Sequence, residues 1–136
     1  MDSQSLSYAL LQVAHNAGAV AVAGGATVAR WQAGSAAQRL MLAKWVAAGW
    51  LTQIASGAGF GAVSFHYYGQ FPDIHGIAVI ALVIKAACAV SGLALSLQYL
   101  RNQRARAAAR VDLIWNFLVG AGWTALAAAA FLRWFS

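Results

Sequence analysis

Charged residues are missing from long stretches of this sequence, and these stretches alternate with short polar segments. Residues 3–29, 45–72 and 113–132 contain no Asp, Glu, Lys or Arg, and residues 74–100 contain only Lys85. Each stretch is long enough to cross a hydrocarbon core of ~30 Å, which takes about 20 helical residues. Helix is required, because lipid cannot hydrogen-bond an unpaired backbone amide. The pattern predicts four membrane-spanning helices, at Leu6–Ala29, Met41–Phe65, Ile74–Leu100 and Val111–Trp134.

The segments between these predicted helices differ in charge. The segment 66–73 has no Lys or Arg, and neither does the N-terminal leader. In a four-span protein the first and third connections share one side of the membrane, and positively charged connections stay in the cytoplasm. We therefore predict an all-α, up-down-up-down bundle with both termini outside. The first and third connections together carry Arg30, Arg39, Lys44, Arg101, Arg104, Arg106 and Arg110.

Composition agrees with a membrane protein. Of the 136 residues, 62% are hydrophobic and 9% are charged, whereas soluble domains carry roughly 25% charged residues. Four spans leave no room for a soluble domain, so residues 1–136 are predicted to form a single transmembrane domain. The leader Met1–Ser7 has no basic residue, which favours a retained first span over a cleaved signal peptide. We expect a multi-pass protein of a bacterial inner membrane.

Several function classes are disfavoured by the same sequence. The net charge of +6 arises from basic residues that flank the spans, which indicates membrane orientation rather than nucleic-acid binding. The single cysteine, Cys88, permits no disulfide within the chain. No GxSxG, phosphate-loop or GxGxxG motif supports a hydrolase, a kinase or a dehydrogenase. The lipid bilayer is the expected partner, together with other membrane subunits or further copies of this chain.

Small residues recur at spacings of three and four in the first two predicted helices. Such spacing lets helix backbones approach closely in lipid, where packing rather than the hydrophobic effect drives association. We predict that three glycines lie at helix contacts and cannot accept a larger side chain. These are Gly18, Gly25 and Gly57.

Polar residues near the middle of three spans predict an intramembrane polar layer. A charge at the bilayer centre costs at least ~2.5 kcal/mol, so Lys85 is predicted to be neutral, to face a polar cavity, to bind an anionic ligand or to pair with another chain. His15 and Gln53 are expected at a similar depth. Lys85 and Gln53 are therefore predicted cofactor-binding residues. The alternative is a hydrogen-bonded network that only fixes helix packing.

The three histidines, His15, His66 and His75, all fall in the outer half of the predicted bundle. Neutral imidazole is a common metal ligand and also binds haem iron. We predict that these histidines serve as ligands to copper or to haem b. The alternative is that they are polar residues of the membrane interface.

Two local patterns resemble the membrane domain of the copper resistance protein D family. One is His15 followed nine residues later by Gly24-Gly25, and the other is Lys85 in mid-helix followed by a basic exit at Arg101. The alternation of basic connections is also similar. The same histidine and lysine show a weaker similarity to HemJ-type protoporphyrinogen oxidases. The first resemblance implies copper handling, and the second implies a porphyrin ligand.

These observations together lead to a functional expectation. The protein is expected to bind or conduct copper or a haem-type cofactor through its polar layer, without hydrolytic chemistry. If it is an enzyme, the resemblance implies a HemJ-like membrane oxidoreductase. The alternative is a non-catalytic subunit or anchor of a larger membrane complex, such as a respiratory one.

Overall fold

A computed structural model describes residues 2–102 and 108–135, and every secondary-structure element in these ranges is an α-helix. The predicted all-α class with four helices is confirmed. Three of the helices are long and apolar enough to cross a membrane: α1, α3 and most of α4. The chain is therefore a multi-pass membrane protein. The helices are α1 (Ser3–Trp31), α2 (Ala36–Tyr68), α3 (Ile77–Arg101) and α4 (Ala108–Phe135).

The helix boundaries differ from the predicted spans mainly at the start of α2. The predicted connection 30–44 is largely helical, and the actual turn occupies only residues 32–35. Ser35 causes the early start, because its hydroxyl accepts a hydrogen bond from the Gln38 amide at 3.2 Å and so caps the helix. Hydropathy alone could not reveal this, since the first turns of α2 are polar. The predicted third connection lies partly outside the described residues.

Two further caps fix the end of the bundle that carries the α2–α3 loop, here called the aromatic end. Asp2 caps α1, and its carboxylate accepts a hydrogen bond from the Ser5 amide at 2.6 Å. This hydrogen bond holds the pKa of the Asp2 carboxyl below its usual value. Gly69 ends α2 at φ 70°, a left-handed conformation that glycine adopts without strain. The opposite end, with the turn 32–35, is called the basic end.

The four helices form a bundle in which each helix packs against two neighbours. The contacting pairs are α1–α2, α2–α3, α3–α4 and α4–α1, so α1 and α3 lie on one diagonal. The α1–α2 pair is antiparallel, as shown by the hydrogen bond between Gln4 and Tyr68 at one end. At the other end of α1, Arg30 donates to Asn116 of α4 at 2.6 Å and lies 3.6 Å from Asp112.

The half of the bundle toward the basic end has a dense apolar and aromatic core. Buried positions of α4 recur at spacings of three and four, as in bundles with shallow crossing angles. Trp50 and Trp115 are fully buried, and Tyr99 meets Trp115 edge to face with ring centroids 5.2 Å apart. Trp50 packs directly over Gly92 of α3.

The three glycines predicted at helix contacts have different environments. A Cβ atom on Gly18 would lie 3.1 Å from the Gly49 carbonyl oxygen, and one on Gly25 would lie 3.0 Å from Val46. Both glycines therefore lie at the α1–α2 contact. Gly57 is exposed and would meet nothing within 4 Å, so the prediction that it packs at a helix contact is wrong. Successive residues of a helix point in directions about 100° apart. Ser56, the neighbour of Gly57, takes the inward position instead.

Candidate functional site

Lys85 and His15 meet inside the bundle. The Lys85 Nζ atom lies 2.7 Å from His15 Nε2, so a side chain of α3 reaches α1 across the diagonal. Both residues are partly buried. Beyond residue 120, the buried residues of α4 have no side-chain atom beyond Cβ. These are Ala121, Gly122, Ala125 and Ala128.

Two residues of α2 fix the other side of His15. His15 Nδ1 lies 2.7 Å from the Ser56 hydroxyl oxygen, and Gln53 donates from its amide nitrogen to the His15 backbone carbonyl. Three helices thus contribute to one hydrogen-bonded set. We call Lys85, His15 and Ser56 the polar cluster.

The direction of each hydrogen bond in the polar cluster follows from counting protons. The Ser56 hydroxyl has one proton, and it donates to the Thr52 carbonyl one turn earlier. His15 Nδ1 must then carry a proton and donate to Ser56. A charged Lys85 amine has only N–H donors, so Nε2 then accepts a hydrogen bond from it and carries no proton. A neutral imidazole therefore positions the lysine amine.

No acidic side chain among the described residues neutralises Lys85. The sequence contains only three acidic side chains, and all three lie in the described ranges with other partners. Asp2 caps α1, Asp73 lies 3.3 Å from His75, and Asp112 pairs with Arg30. A lysine amine within a membrane bundle without a counter-ion is costly, and residues of this kind commonly mark functional sites.

The polar cluster lies between an aromatic layer and the apolar core. Phe60 meets the His15 ring edge to face at 5.7 Å, and Tyr8 stacks on Phe60 at 6.3 Å. Both rings lie toward the aromatic end. Toward the basic end, Val22 and Trp50 are buried as part of the hydrophobic core. The polar cluster therefore adjoins aromatic side chains on one side and the hydrophobic core on the other.

The predicted metal ligands are not brought together. His66 and His75 are exposed at the aromatic end, where His66 contacts Tyr67 and His75 lies beside Asp73. Within residues 2–102 and 108–135, no three His, Cys, Asp or Glu side chains are grouped so that they could hold a metal ion. Both ring nitrogens of His15 are already hydrogen-bonded.

Gln12 and Asn16 of α1 form another polar pair, which lies outside the polar cluster. Gln12 donates to Asn16 at 2.8 Å, and both side chains are exposed on α1. Asn16 follows His15 directly, so it lies at the same depth but on the outside of the bundle. The sequence does contain a signal for this pair, because Asn16 lies in the middle of the uncharged stretch 3–29.

No family model, no curated protein and no solved structure matches this chain. The similarities to the copper resistance protein D family and to HemJ-type oxidases rest on the short motifs around His15 and Lys85.

Proposed function

We propose that this membrane protein binds a small ligand with an anionic group, such as a carboxylate, at the polar cluster. The observation that carries the proposal is the Lys85 amine, held inside the bundle by His15 and unpaired with any Asp of the chain. An anionic group beside Lys85 would supply the missing counter-charge. Charge-assisted hydrogen bonds of this kind are about twice as strong as neutral ones.

Each residue of the polar cluster has a distinct role in this proposal. A protonated amine has three N–H groups, and His15 accepts only one of them, so two remain for the ligand. Ser56 fixes the imidazole ring by accepting from Nδ1. The packed core around Trp50 supports binding over conduction, because most of its side chains are apolar or aromatic.

Copper and haem b remain predictions of the resemblance, and the polar cluster limits how either could bind. A metal ion at His15 Nε2 would displace the Lys85 hydrogen bond and would lie beside an ammonium group, so His15 does not fit as a metal ligand here. A haem-type cofactor fits only through its carboxylates, which Lys85 could bind.

We further propose that α2 also crosses the membrane, which gives four spans with both termini outside a bacterial inner membrane. Support comes from its 33-residue length, the lack of charge between Lys44 and Asp73, and its place between α1 and α3 in the bundle. In a Cys88→Ala background, an impermeant thiol reagent added to intact cells should label Gln70→Cys but not Ala37→Cys. Equal labelling of both positions would mean that α2 does not cross. Labelling of position 37 alone would reverse the orientation.

The ligand proposal is tested by comparing two lysine substitutions. Lys85→Met removes the amine and keeps the apolar stem, while Lys44→Met makes the same change at an exposed lysine. After extraction in mild detergent, native mass spectrometry and an absorption spectrum would identify molecules that remain bound. Wild-type protein and Lys44→Met should retain a carboxylate-bearing molecule, and a Soret band would identify it as a haem. Lys85→Met should lose this molecule.

Retention of the same molecule by Lys85→Met would contradict the proposal. The loss of binding is expected to be large, because removing one partner of a buried charge interaction costs about 2–5 kcal/mol. At 1.4 kcal/mol per factor of ten, this is about 30-fold to several thousand-fold in affinity.

A second candidate function is a non-catalytic subunit or anchor of a larger membrane assembly. The exposed Gln12 and Asn16 amides favour it, because polar groups on the outside of a transmembrane helix are typically satisfied by another helix. Purification in mild detergent should then recover this chain with a partner.

A further inference from the structure

The Gln12–Asn16 pair is the most unusual feature of the bundle's outer surface. Asn16 lies near the middle of α1, which spans Ser3–Trp31, and its side chain faces away from the other helices of the chain. Lipid hydrocarbon offers no hydrogen-bond partners, so a primary amide exposed there loses the hydrogen bonds that it makes in water. The pair therefore indicates that this face of α1 is covered by something polar.

The hydrogen bond within the pair leaves one acceptor and one donor group unused. Gln12 Nε2 donates to Asn16 Oδ1 at 2.8 Å. Gln12 Oε1 therefore remains free to accept, and the Asn16 amide nitrogen remains free to donate. A second identical pair, related by a two-fold axis, presents the same groups in the complementary positions.

The apolar residues around the pair are arranged for helix packing. Ala9, Val13, Asn16 and Val20 are all exposed, and their spacing of four, three and four residues is that of a helix–helix seam, with Gln12 beside it. Val13 and Val20 are 68% and 73% exposed. One turn farther along, a Cβ on Gly24 would meet nothing within 4 Å, so the backbone there is open to a neighbour.

We propose that this face of α1 binds a second copy of the same chain. Copies of one membrane protein insert with the same orientation, so their α1 helices run parallel and the two-fold axis lies along the membrane normal. Asn16 of each copy then lies level with Asn16 of the other, and each Asn16 amide donates to the partner's free Gln12 oxygen. A closed, isologous dimer satisfies all four amide groups. This proposal uses the exposed face of α1 and does not rest on ligand binding.

Cysteine cross-linking in a bilayer tests the proposed contact directly. The full-length Cys88→Ala protein would be reconstituted in phosphatidylcholine vesicles and oxidised after introduction of Val13→Cys in the centre of the seam. A disulfide requires Cα atoms within about 7 Å, so only a close parallel contact gives a cross-linked dimer. Val83→Cys on α3 is the matched control, because Val83 is also a valine and is 61% exposed.

The expected result is a cross-linked dimer with Val13→Cys and none with Val83→Cys. Adding Gln12→Leu and Asn16→Leu should weaken the dimer about tenfold, as expected for two interhelical hydrogen bonds. Subunit counting in dilute vesicles would measure this change without oxidation. Both substitutions are at exposed positions, and helical circular dichroism would confirm that the bundle remains folded.

Three outcomes would overturn the proposal. Equal cross-linking at positions 13 and 83 would indicate random collision, and unchanged dimerisation without the two amides would show that they do not form the contact. A chain that is monomeric in vesicles but co-purifies with a different membrane protein would assign this face to that partner.

Discussion

Replacement of Gly92 with alanine should strongly destabilise the bundle. A Cβ atom at this position would overlap Cε2 of the Trp50 indole and would lie 2.5 Å from Nε1 and 2.6 Å from Cζ2. The ring cannot yield by rotating a flexible end, because Trp50 is only 1% exposed. Overpacking of a core usually lowers the free energy of unfolding by about 1–3 kcal/mol. Because the added Cβ would collide with three ring atoms, we expect Gly92→Ala to lie at the upper end of this range.

Thermal unfolding in detergent, followed by circular dichroism, would measure this effect. Gly57→Ala is the matched control, because Gly57 also lies within a helix and its Cβ would meet nothing within 4 Å. The control should unfold at or slightly above the wild-type temperature, since alanine favours helix over glycine. Trp50→Phe added to Gly92→Ala should recover part of the loss. Equal unfolding temperatures for the two alanine variants would contradict the packing of Trp50 on Gly92.

The second large effect is an asymmetry between the two halves of the Lys85–His15 contact. His15→Leu should destabilise the protein more than Lys85→Met does. The first change leaves an ammonium group in the bundle without an acceptor, and breaking a buried charge interaction in this way costs up to about 3–5 kcal/mol. The second change leaves only a neutral imidazole nitrogen unpaired, which costs about 1–3 kcal/mol.

The double variant separates this explanation from a general loss of packing. Replacing both partners with apolar groups removes the unpaired charge, so His15→Leu with Lys85→Met should be more stable than His15→Leu alone. All three variants would be compared by thermal unfolding in the same detergent. If the double variant were the least stable of the three, the contact would contribute through packing and not through its hydrogen bond.

The sequence predicted the helices well because charge and length decide which segments can cross a membrane. It also placed His15, Gln53 and Lys85 at a similar depth, since depth follows from counting residues along a helix. It could not predict that Lys85 contacts His15 directly. That contact depends on α1 and α3 lying on a diagonal of the bundle, which is a property of the assembled structure.

Errors at the level of single residues have one physical origin. Neighbouring residues of a helix point in directions about 100° apart. A pattern of small residues spaced by three or four can nevertheless fit either neighbour. Gly57 was therefore assigned to a contact that Ser56 occupies, and Asn16 was overlooked beside His15. Spacing along the chain also does not reveal that both ring nitrogens of His15 are hydrogen-bonded, one to Ser56 and the other to Lys85.

The protonation state of His15 tests the central claim most directly. The polar cluster requires a neutral ring that donates from Nδ1 to Ser56 and accepts from Lys85 at Nε2. Solid-state NMR of ¹⁵N-histidine-labelled protein in bilayers would report the tautomer, and His15→Leu would assign the signal among the three histidines. We expect a protonated Nδ1 and an unprotonated Nε2 for His15, with the Nε2 signal shifting in Lys85→Met. A proton found on Nε2, with no change in Lys85→Met, would contradict the account.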